Sequence, residues 1–325
     1  MQLGPDEDNE IKEPKMIAHD TCGVAVVLCL ALLGGAAAAE SQLQIGAGDN
    51  TVTVKDGDKL VLEYLFGGVP FKPYARQVLS PAGINVARDQ VADHIHHHAL
   101  MYAIKVDGVN FWEETGGCGK EVHKGWAGVK TESRDGLSAA TCTEQLEWTA
   151  ADGKALMQET RQLTVYRGAD IPASLLTWKA TLSPAEGKPE IKLGGNHYHG
   201  LGIRFLKCMD TGGEHFTPEG KVKGEVVRGD EQLTKAPWCA YAAEADGKPV
   251  TCAMFDHPSN PRKALWFSMT QPFAYMSATM NLHREPLPVK AGEPATLRYG
   301  VAVFDGKVKA EEVEKLYQRW LQLEK

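Results

Sequence analysis

Six Asp-Gly dipeptides spread over the chain constrain its fold more than any other feature. They occur at residues 56–57, 107–108, 135–136, 152–153, 246–247 and 305–306. Asp-Gly supplies the positive φ angles of a tight hairpin turn. Between the turns, apolar side chains alternate along the chain, as at Leu297, Tyr299 and Val301. Hairpins along the whole chain, combined with strand-type alternation, predict antiparallel sheets and not βαβ units.

One segment near the C-terminus has helical periodicity instead. Its apolar side chains recur at i, i+3, i+4, i+7 and i+8, at Val313, Leu316, Tyr317, Trp320 and Leu321. Acidic residues near its start suit the positive end of a helix dipole. The sequence therefore predicts an all-β protein, an antiparallel β-sandwich closed by a C-terminal helix near residues 313–323.

Composition and charge limit the expected domain organisation of the chain and the kinds of partner it can bind. It has 325 residues, of which 43% are hydrophobic, so a sizeable core is expected. No linker or internal repeat interrupts it, which predicts one domain over residues 40–325. The formal net charge is -7 and basic runs are absent. This argues against nucleic acid as a partner, because phosphate binding needs clustered Lys and Arg.

Residues 1–39 are predicted to be an export signal segment. An uncharged run extends from Cys22 to Ala39 and ends in three alanines, a small-residue pattern typical of cleavage sites. An uncleaved membrane anchor is the alternative. No later segment is long and apolar enough to span a bilayer, so no membrane contact is expected after cleavage. The predicted location is periplasmic or extracellular.

Five of the seven cysteines follow the export segment. Five is an odd number and no C-x-x-C pair exists, which argues against a disulfide framework. The alternative is that one or two disulfide bridges form after export.

The strongest local motif is Asp93-His94-Ile95-His96-His97-His98. Imidazole is the usual acid or base at neutral pH and a common metal ligand. If the segment is extended, His94, His96 and His98 point to one face and His97 to the other. A histidine tract on a surface loop is the alternative interpretation.

Two further motifs contain histidine. In residues 194–204, His197 and His199 would share one face of a strand, and Arg204 would bind a carboxylate or hydroxyls. A glycine-rich sheet corner is the alternative. Residues 256–262 contain Asp256, His257 and Asn260 between prolines, which indicates either a rigid site loop or a plain surface turn.

Two single histidines, His123 and His283, are weaker candidates, because each alone would more often be a structural histidine than a ligand. Four tryptophans would stack on a sugar or pack in the core, and core packing is the better default for each of them: Trp112, Trp126, Trp238 and Trp266.

These motifs resemble the PmoA-like family of secreted bacterial proteins. The resemblance extends from about Leu60 to the terminal helix and is carried by Lys72-Pro73-Tyr74, Asp93-His94-Ile95-His96-His97, Phe111-Trp112, Glu121-Val122-His123, Gly200-Leu201-Gly202-Ile203-Arg204, Asp256-His257-Pro258-Ser259-Asn260 and Leu297-Arg298-Tyr299. The resemblance implies a galactose-mutarotase-like β-supersandwich and a carbohydrate ligand. The family name suggests a methane monooxygenase subunit. Such subunits are membrane proteins with several spanning helices, whereas no spanning helix is expected in the mature chain. The family commonly has Arg-Gly where this chain has His98-Ala99, so a substrate-binding arginine is missing or replaced by His98.

The first functional hypothesis is a carbohydrate-active enzyme of the mutarotase, epimerase or lyase type. Such chemistry needs a base and an acid on opposite sides of the substrate, and histidine suits both roles. The candidate catalytic residues are His94, His97 and His257. Asp93 or Asp256 would orient an imidazole. The candidate substrate-binding residues are Arg76, His96, His98, His123, His197, His199, Arg204, Asp256 and Asn260. All three motifs would then converge on one concave pocket.

Two alternatives use the same residues. The cofactor is unknown, and His94, His96 and His97 would be the ligands of a divalent metal if one is bound. A non-catalytic sugar-binding module is the third hypothesis, and it needs exposed aromatic platforms more than histidines. The expected partner is a carbohydrate or another small-molecule substrate.

We expect export with processing after Ala39. N-terminal sequencing of the natural protein should begin at or near Glu40. Recovery of the intact segment in a membrane fraction would instead support the anchor.

Overall fold

Strands connected by tight turns make up most of the part of the chain that the structure describes. The computed structural model describes residues 43–92 and 94–325, and the predicted export segment lies outside them. The strands in the first half are β1 (Leu43–Ala47), β2 (Thr51–Asp56), β3 (Lys59–Leu65), β4 (Tyr74–Val78), β5 (Leu100–Ala103), β6 (Lys105–Val106), β7 (Val109–Asn110), β8 (Lys120–Arg134), β9 (Leu137–Thr149), β10 (Ala155–Gly168), β11 (Ala173–Pro184) and β12 (Glu190–Gly194). The second half contains β13 (Gly200–Arg204), β14 (Glu214–Thr217), β15 (Gly220–Lys221), β16 (Glu225–Arg228), β17 (Glu231–Lys235), β18 (Trp238–Ala245), β19 (Lys248–Asp256), β20 (Leu265–Met269), β21 (Tyr275–Thr279), β22 (Leu287–Lys290) and β23 (Ala295–Asp305). A short 3₁₀ helix spans Lys207–Met209 and helix α1 spans Ala310–Leu323.

The strands form three antiparallel sheets. A ten-stranded sheet has the order β1-β2-β3-β4-β5-β13-β21-β20-β17-β16, and a nine-stranded sheet has the order β15-β14-β18-β19-β23-β11-β10-β9-β8. A four-stranded sheet joins β22, β12, β6 and β7. All described residues belong to one compact unit. The predicted all-β class, the antiparallel sandwich and the C-terminal helix are confirmed.

The Asp-Gly dipeptides do what the sequence predicts at five of their six positions. Those five connect β2 to β3, β6 to β7, β8 to β9, β9 to β10 and β18 to β19. Their glycines have φ angles between 58° and 85°, a range that favours glycine. Asp305-Gly306 instead ends β23 and leads into the helix.

The main core lies between the two large sheets. Strand alternation sends Trp266 and Met276 of the ten-stranded sheet, and Tyr241 and Met254 of the nine-stranded sheet, into one buried cluster. Residues on the outer faces belong to two other clusters. Both faces of each central strand are therefore apolar, which explains continuous apolar runs such as Leu265–Met269.

Helix α1 covers the outer face of the nine-stranded sheet. Its buried side chains Val313, Leu316, Tyr317 and Trp320 are four of the five predicted from the periodicity, and Leu321 is partly buried. The Trp320 indole donates a hydrogen bond of 2.7 Å to the Thr177 hydroxyl in β11. The helix therefore closes one side of the sandwich and leaves the outer face of the ten-stranded sheet to the loops.

Two further findings concern thiols and membranes. The five cysteines within the described residues are free, and four of them are buried. No helix in the described ranges combines the length and apolar character that crossing a membrane requires.

Arg161 is a charged side chain inside the sandwich. It is 0% exposed and faces the other sheet from β10. Its guanidinium donates two hydrogen bonds of 2.8 Å to the Glu159 carboxylate and one of 2.8 Å to Glu121. Burial raises the pKa of Glu121 against the opposing effect of the Arg161 cation.

Replacing Arg161 should destabilise the sandwich strongly. Arg161→Met leaves the Glu159 carboxylate buried without its cation, which we expect to lower the free energy of unfolding by about 3–5 kcal/mol. Urea denaturation measures this change. Arg167→Met is the matched control in the same strand, because Arg167 pairs with Asp56 at the surface and should contribute about 1 kcal/mol or less. Equal losses in the two variants would contradict the assignment.

Candidate functional site

A cavity of about 430 Å³ lies on the outer face of the ten-stranded sheet. Its floor comes from β20 and β21, which place Phe267, Met269 and Tyr275 on this face. Loops supply the walls and the rim. The lining residues are His94, His96, His97, Trp112, Glu113, Tyr198, Arg228, Glu231, Phe267, Met269, Pro272, Phe273 and Tyr275.

The first histidine motif forms a turn before β5, not an extended strand. The His97 amide donates a 2.8 Å hydrogen bond to the His94 carbonyl. The predicted alternation of faces is therefore wrong, because a turn does not alternate its side chains. His94, His96 and His97 all line the cavity, with ring centroids 4.6–5.8 Å apart. His98 points away from it, and Asp93 lies outside the described residues.

The second motif reaches the cavity through Tyr198, which lies between the two histidines of the motif. Residues 197–198 form a turn before β13, so His197 and His199 do not share a strand face. Tyr198 lines the cavity. His199 lies behind the wall, stacked on the Trp112 indole with centroids 4.8 Å apart. His197 Nε2 lies 3.3 Å from the Glu231 carboxylate.

Glycine in β13 permits the floor to pack closely. A Cβ atom at Gly202 would collide with the Tyr275 hydroxyl, and one at Gly200 with the Ala278 carbonyl. Both positions face β21, which carries Tyr275. The glycines of the second motif are therefore needed for strand packing beneath the cavity.

His98 belongs to a closed ring of five polar side chains behind the cavity wall. His98 Nδ1 lies 2.9 Å from Asp89 Oδ1 and His98 Nε2 lies 2.9 Å from Glu114 Oε1. Tyr74 donates a 2.8 Å hydrogen bond to Asp89, and Lys72 Nζ lies 2.6 Å from Glu114. We call these five residues the polar ring. Its members Lys72 and Tyr74 are two residues apart in β4 and the segment before it, so the ring closes through the backbone.

Three histidines of the first motif, His96, His97 and His98, have different pKa values because their surroundings differ. Burial, helped by the neighbouring His96, lowers the pKa of His97 to about 2. Burial also lowers the pKa of His96, against the opposing Glu113 carboxylate. Burial would lower the pKa of His98 too, but hydrogen bonds to Asp89 and Glu114 outweigh it and raise this pKa. His97 is therefore neutral at pH 7 and cannot serve there as an imidazolium acid.

His96 and Glu113 form the pair most suited to proton transfer. His96 Nδ1 lies 3.2 Å from Glu113 Oε2, and both residues line the cavity. A carboxylate beside Nδ1 favours the tautomer with the proton on Nδ1. The Nε2 lone pair is then available to accept a proton.

The third motif does not reach the cavity. His257 packs edge-on against Trp320 of α1, with centroids 5.6 Å apart, and its Nδ1 lies 2.6 Å from the Ser259 hydroxyl. Trp320 belongs to the cluster on the outer face of the nine-stranded sheet. The two large sheets separate this face from the cavity. The predicted convergence of three motifs is therefore wrong for the third, and the geometry does not support His257 as a partner of His94 or His97.

Asp256 and Asn260 stabilise a loop beside that helix. The Asn260 amide donates to Asp256 Oδ1 at 2.7 Å and to the Arg298 carbonyl at 2.8 Å. Asp256 Oδ2 also accepts a hydrogen bond from the Ala264 amide. These bonds satisfy both side chains locally, so a substrate-binding role at the cavity is not supported.

Three more of the predicted substrate-binding residues, Arg76, Arg204 and His123, are also placed elsewhere. Arg76 makes two hydrogen bonds to Glu63, of 2.6 and 2.8 Å. Arg204 is buried behind the wall, with its guanidinium carbon 3.4 Å from the Phe273 ring centroid. His123 Nδ1 lies 2.6 Å from Glu144. None of the three lines the cavity.

Several cavity residues were missed because no local pattern distinguishes them. Glu113, Tyr198, Arg228 and Glu231 come from three separate loops or strand ends. Arg228 and Glu231 flank a hairpin and pair at 2.6 Å. The one sequence signal near them is Trp112, which precedes Glu113 and is one of four tryptophans with a possible stacking role.

Metal binding has no preformed site in the described residues. No group of three His, Cys, Asp or Glu side chains in residues 43–92 and 94–325 is arranged to hold a metal ion. His94 and His97 are stacked with an interplanar angle of 23°.

The raised pKa of His98 should make stability depend on pH. A histidine whose pKa is raised on folding contributes stability that is full below its unfolded pKa of 6.5 and lost as the pH rises through the folded value. We expect His98→Gln to cost about 3 kcal/mol at pH 6, through the loss of charged hydrogen bonds, and less at pH 9. Urea denaturation across this range measures both values. His98→Gln should therefore remove part of the loss of stability that the wild type shows as the pH rises. His257→Gln should leave this pH dependence above pH 6.5 unchanged, and an equal change in that control would refute the assignment.

Comparisons with known proteins identify the family. Residues 51–318 match the family described as "Family of unknown function (DUF6807)". No curated protein matches the chain. The match does not carry the PmoA-like name, which stays a prediction.

Three solved structures are similar to the chain. The galactosidase domain of alpha-galactosidase-sucrose kinase, AgaSK, has 13% identity and a TM-score of 0.42. The match covers 82% of this chain and only 41% of that chain. A putative aldose 1-epimerase from Klebsiella pneumoniae subsp. pneumoniae MGH 78578 has 9% identity and a TM-score of 0.43, with 87% of each chain covered. A putative aldose 1-epimerase from Escherichia coli K12 has 9% identity and a TM-score of 0.31, with 81% of this chain and 99% of that chain covered.

The family match includes nearly all strands of both large sheets and the first part of the terminal helix. It spans well over half of the sequence. The chain therefore belongs to the DUF6807 family of unknown function.

Proposed function

We propose that the protein is an exported carbohydrate-active protein whose cavity binds a sugar. The reaction is of the mutarotase, epimerase or lyase type, with proton transfer by His96 and His94. One observation carries this proposal, namely that aromatic walls and a carboxylate–imidazole pair occur in the same cavity. The PmoA-like resemblance points to the same class of ligand.

The walls suit a ring with both apolar and polar faces. Trp112, Tyr198, Phe267, Phe273 and Tyr275 surround the cavity. Aromatic faces pack against the C–H groups of a sugar, while polar groups at the rim bind its hydroxyls. A volume of about 430 Å³ lies within the range of small-molecule sites, roughly 300 to 1,000 Å³.

The His96–Glu113 pair supplies the base. His96 is neutral at pH 7 because burial lowers its pKa. Its Nε2 would accept a proton from a sugar hydroxyl or an acidic C–H group, and Glu113 would stabilise the resulting imidazolium through Nδ1–H. This role replaces the earlier assignment to His97, whose pKa of about 2 makes it a weak base.

His94 is the proposed acid. Its ring centroid lies 5.8 Å from that of His96, and both rings line the cavity. In mutarotation the base takes the anomeric hydroxyl proton and the acid protonates the ring oxygen as the C1–O bond breaks. The open-chain aldehyde then rotates, and the reverse transfers close the ring. Epimerisation and elimination use the same base on a C–H group.

The experiment compares sugar turnover in wild type and His96→Gln. Proton NMR of freshly dissolved neutral hexoses and hexuronic acids in D₂O follows anomer exchange, deuterium uptake at carbon and loss of a leaving group. We expect wild type to accelerate one of these reactions and His96→Gln to lower the rate about 10²–10⁴-fold. His257→Gln is the control with full activity, because it lies outside the cavity. Wild-type activity should fall only in acid, at a pH below the ordinary imidazole pKa of 6.5, since the base must be neutral and burial lowers the pKa of His96.

Calorimetry on the same sugars separates the remaining outcomes. Binding without turnover would favour the non-catalytic module. Absence of binding and turnover across the panel would refute the carbohydrate proposal.

A further inference from the structure

We propose that His98 is a positioning residue that sets the geometry of the His96–Glu113 pair. It does so by tying the turn of residues 94–98 to the loop of residues 112–114. This inference rests on the proposed function, since it concerns the same pair. His98 itself does not line the cavity.

The hydrogen bond between His98 and Glu114 connects residues that lie close to His96 and Glu113 in the sequence. His98 follows His97 in the turn that carries His96, and Glu114 follows Glu113. The 2.9 Å contact between His98 Nε2 and Glu114 Oε1 therefore bridges the two segments one or two residues from the 3.2 Å contact between His96 and Glu113. Two adjacent cross-links between the same segments fix their separation and their relative rotation.

The rest of the polar ring holds this tie rigid. Asp89 accepts from His98 Nδ1 at 2.9 Å, so both imidazole nitrogens are fixed. The Tyr74 ring is stacked on the imidazole, with centroids 4.3 Å apart and an interplanar angle of 22°. Lys72 holds the opposite segment, because its Nζ binds the Trp112 carbonyl at 3.1 Å and Glu114 at 2.6 Å.

The chemistry of the bridge requires a donor at both ends. Asp89 and Glu114 are acceptors, so the residue between them must donate from two opposite edges. Protonated imidazole does this within a planar ring. An apolar residue of similar size would leave two partly buried carboxylates, with side chains 16% and 5% exposed, facing each other behind the cavity wall.

The test separates positioning from stability. His98→Gln keeps a polar side chain but cannot donate from two opposite edges. We expect kcat to fall about 10- to 100-fold with KM changed less than about threefold, because the sugar-binding walls remain while the reacting groups are misaligned. Val313→Ala is the matched control, since it removes buried contacts in α1, far from the cavity, and lowers stability while leaving kcat unchanged. Asp89→Asn serves in place of His98→Gln if that variant does not fold.

A second measurement does not depend on turnover. ¹⁵N NMR of labelled histidine reports the tautomer of His96, which should be Nδ1–H in wild type and mixed in His98→Gln. Unchanged kcat with an unchanged His96 tautomer would overturn the proposal. If wild type has no sugar turnover, the proposed function fails, and the tautomer alone decides whether His98 positions the pair.

Discussion

The buried guanidinium of Arg161 is the interaction on which the geometry of the site depends. Its planar donors bind Glu159, Glu121 and the Tyr64 hydroxyl inside the sandwich. One further donor reaches out of this cluster to the Pro73 carbonyl at 3.2 Å. Pro73 lies between Lys72 and Tyr74, the two residues through which the polar ring closes. The core charge thus fixes the segment from which the supports of the cavity extend.

The Trp178 ring completes the surroundings of this charge. The guanidinium carbon lies 4.8 Å from its centroid. A buried cation of this kind costs desolvation that only complete pairing offsets. Its hydrogen bonds join β3, β8 and β10 with the segment before β4. The desolvation cost is therefore offset by bonds that connect the two large sheets. Such a cluster specifies how the sheets face each other more strictly than apolar contacts alone.

The two faces of the ten-stranded sheet explain why a cavity exists. One face is buried against the nine-stranded sheet, and the opposite face carries Phe267, Met269 and Tyr275. Those apolar side chains would be exposed without the loops of residues 94–98, 112–114 and 196–199. The loops cover the face incompletely, and the remaining space is the cavity. The same side chains that need shielding from water therefore form the surface against which a sugar would pack.

The sequence predicted the periodic parts of the molecule and failed where position depends on tertiary contacts. Asp-Gly turns and helical spacing are local, so five hairpins and the terminal helix were predicted correctly. His257 was assigned to the cavity because its motif has the right chemistry, but strand order alone decides which outer face a loop occupies. Glu113 and Tyr198 carry no local pattern and become site residues only when three loops meet.

The histidine motif shows why residue type alone does not assign a role. His97 and His98 are adjacent, yet burial among aromatic rings lowers the pKa of the first to about 2 while two carboxylates raise that of the second. A turn in place of a strand sends the two side chains to opposite sides of the cavity wall. The His97 imidazole is thereby kept neutral on the cavity side. The cationic form of His98 is favoured in the polar ring behind the wall. His96, between an aromatic cavity and the Glu113 carboxylate, has the intermediate surroundings that a reversible proton acceptor requires.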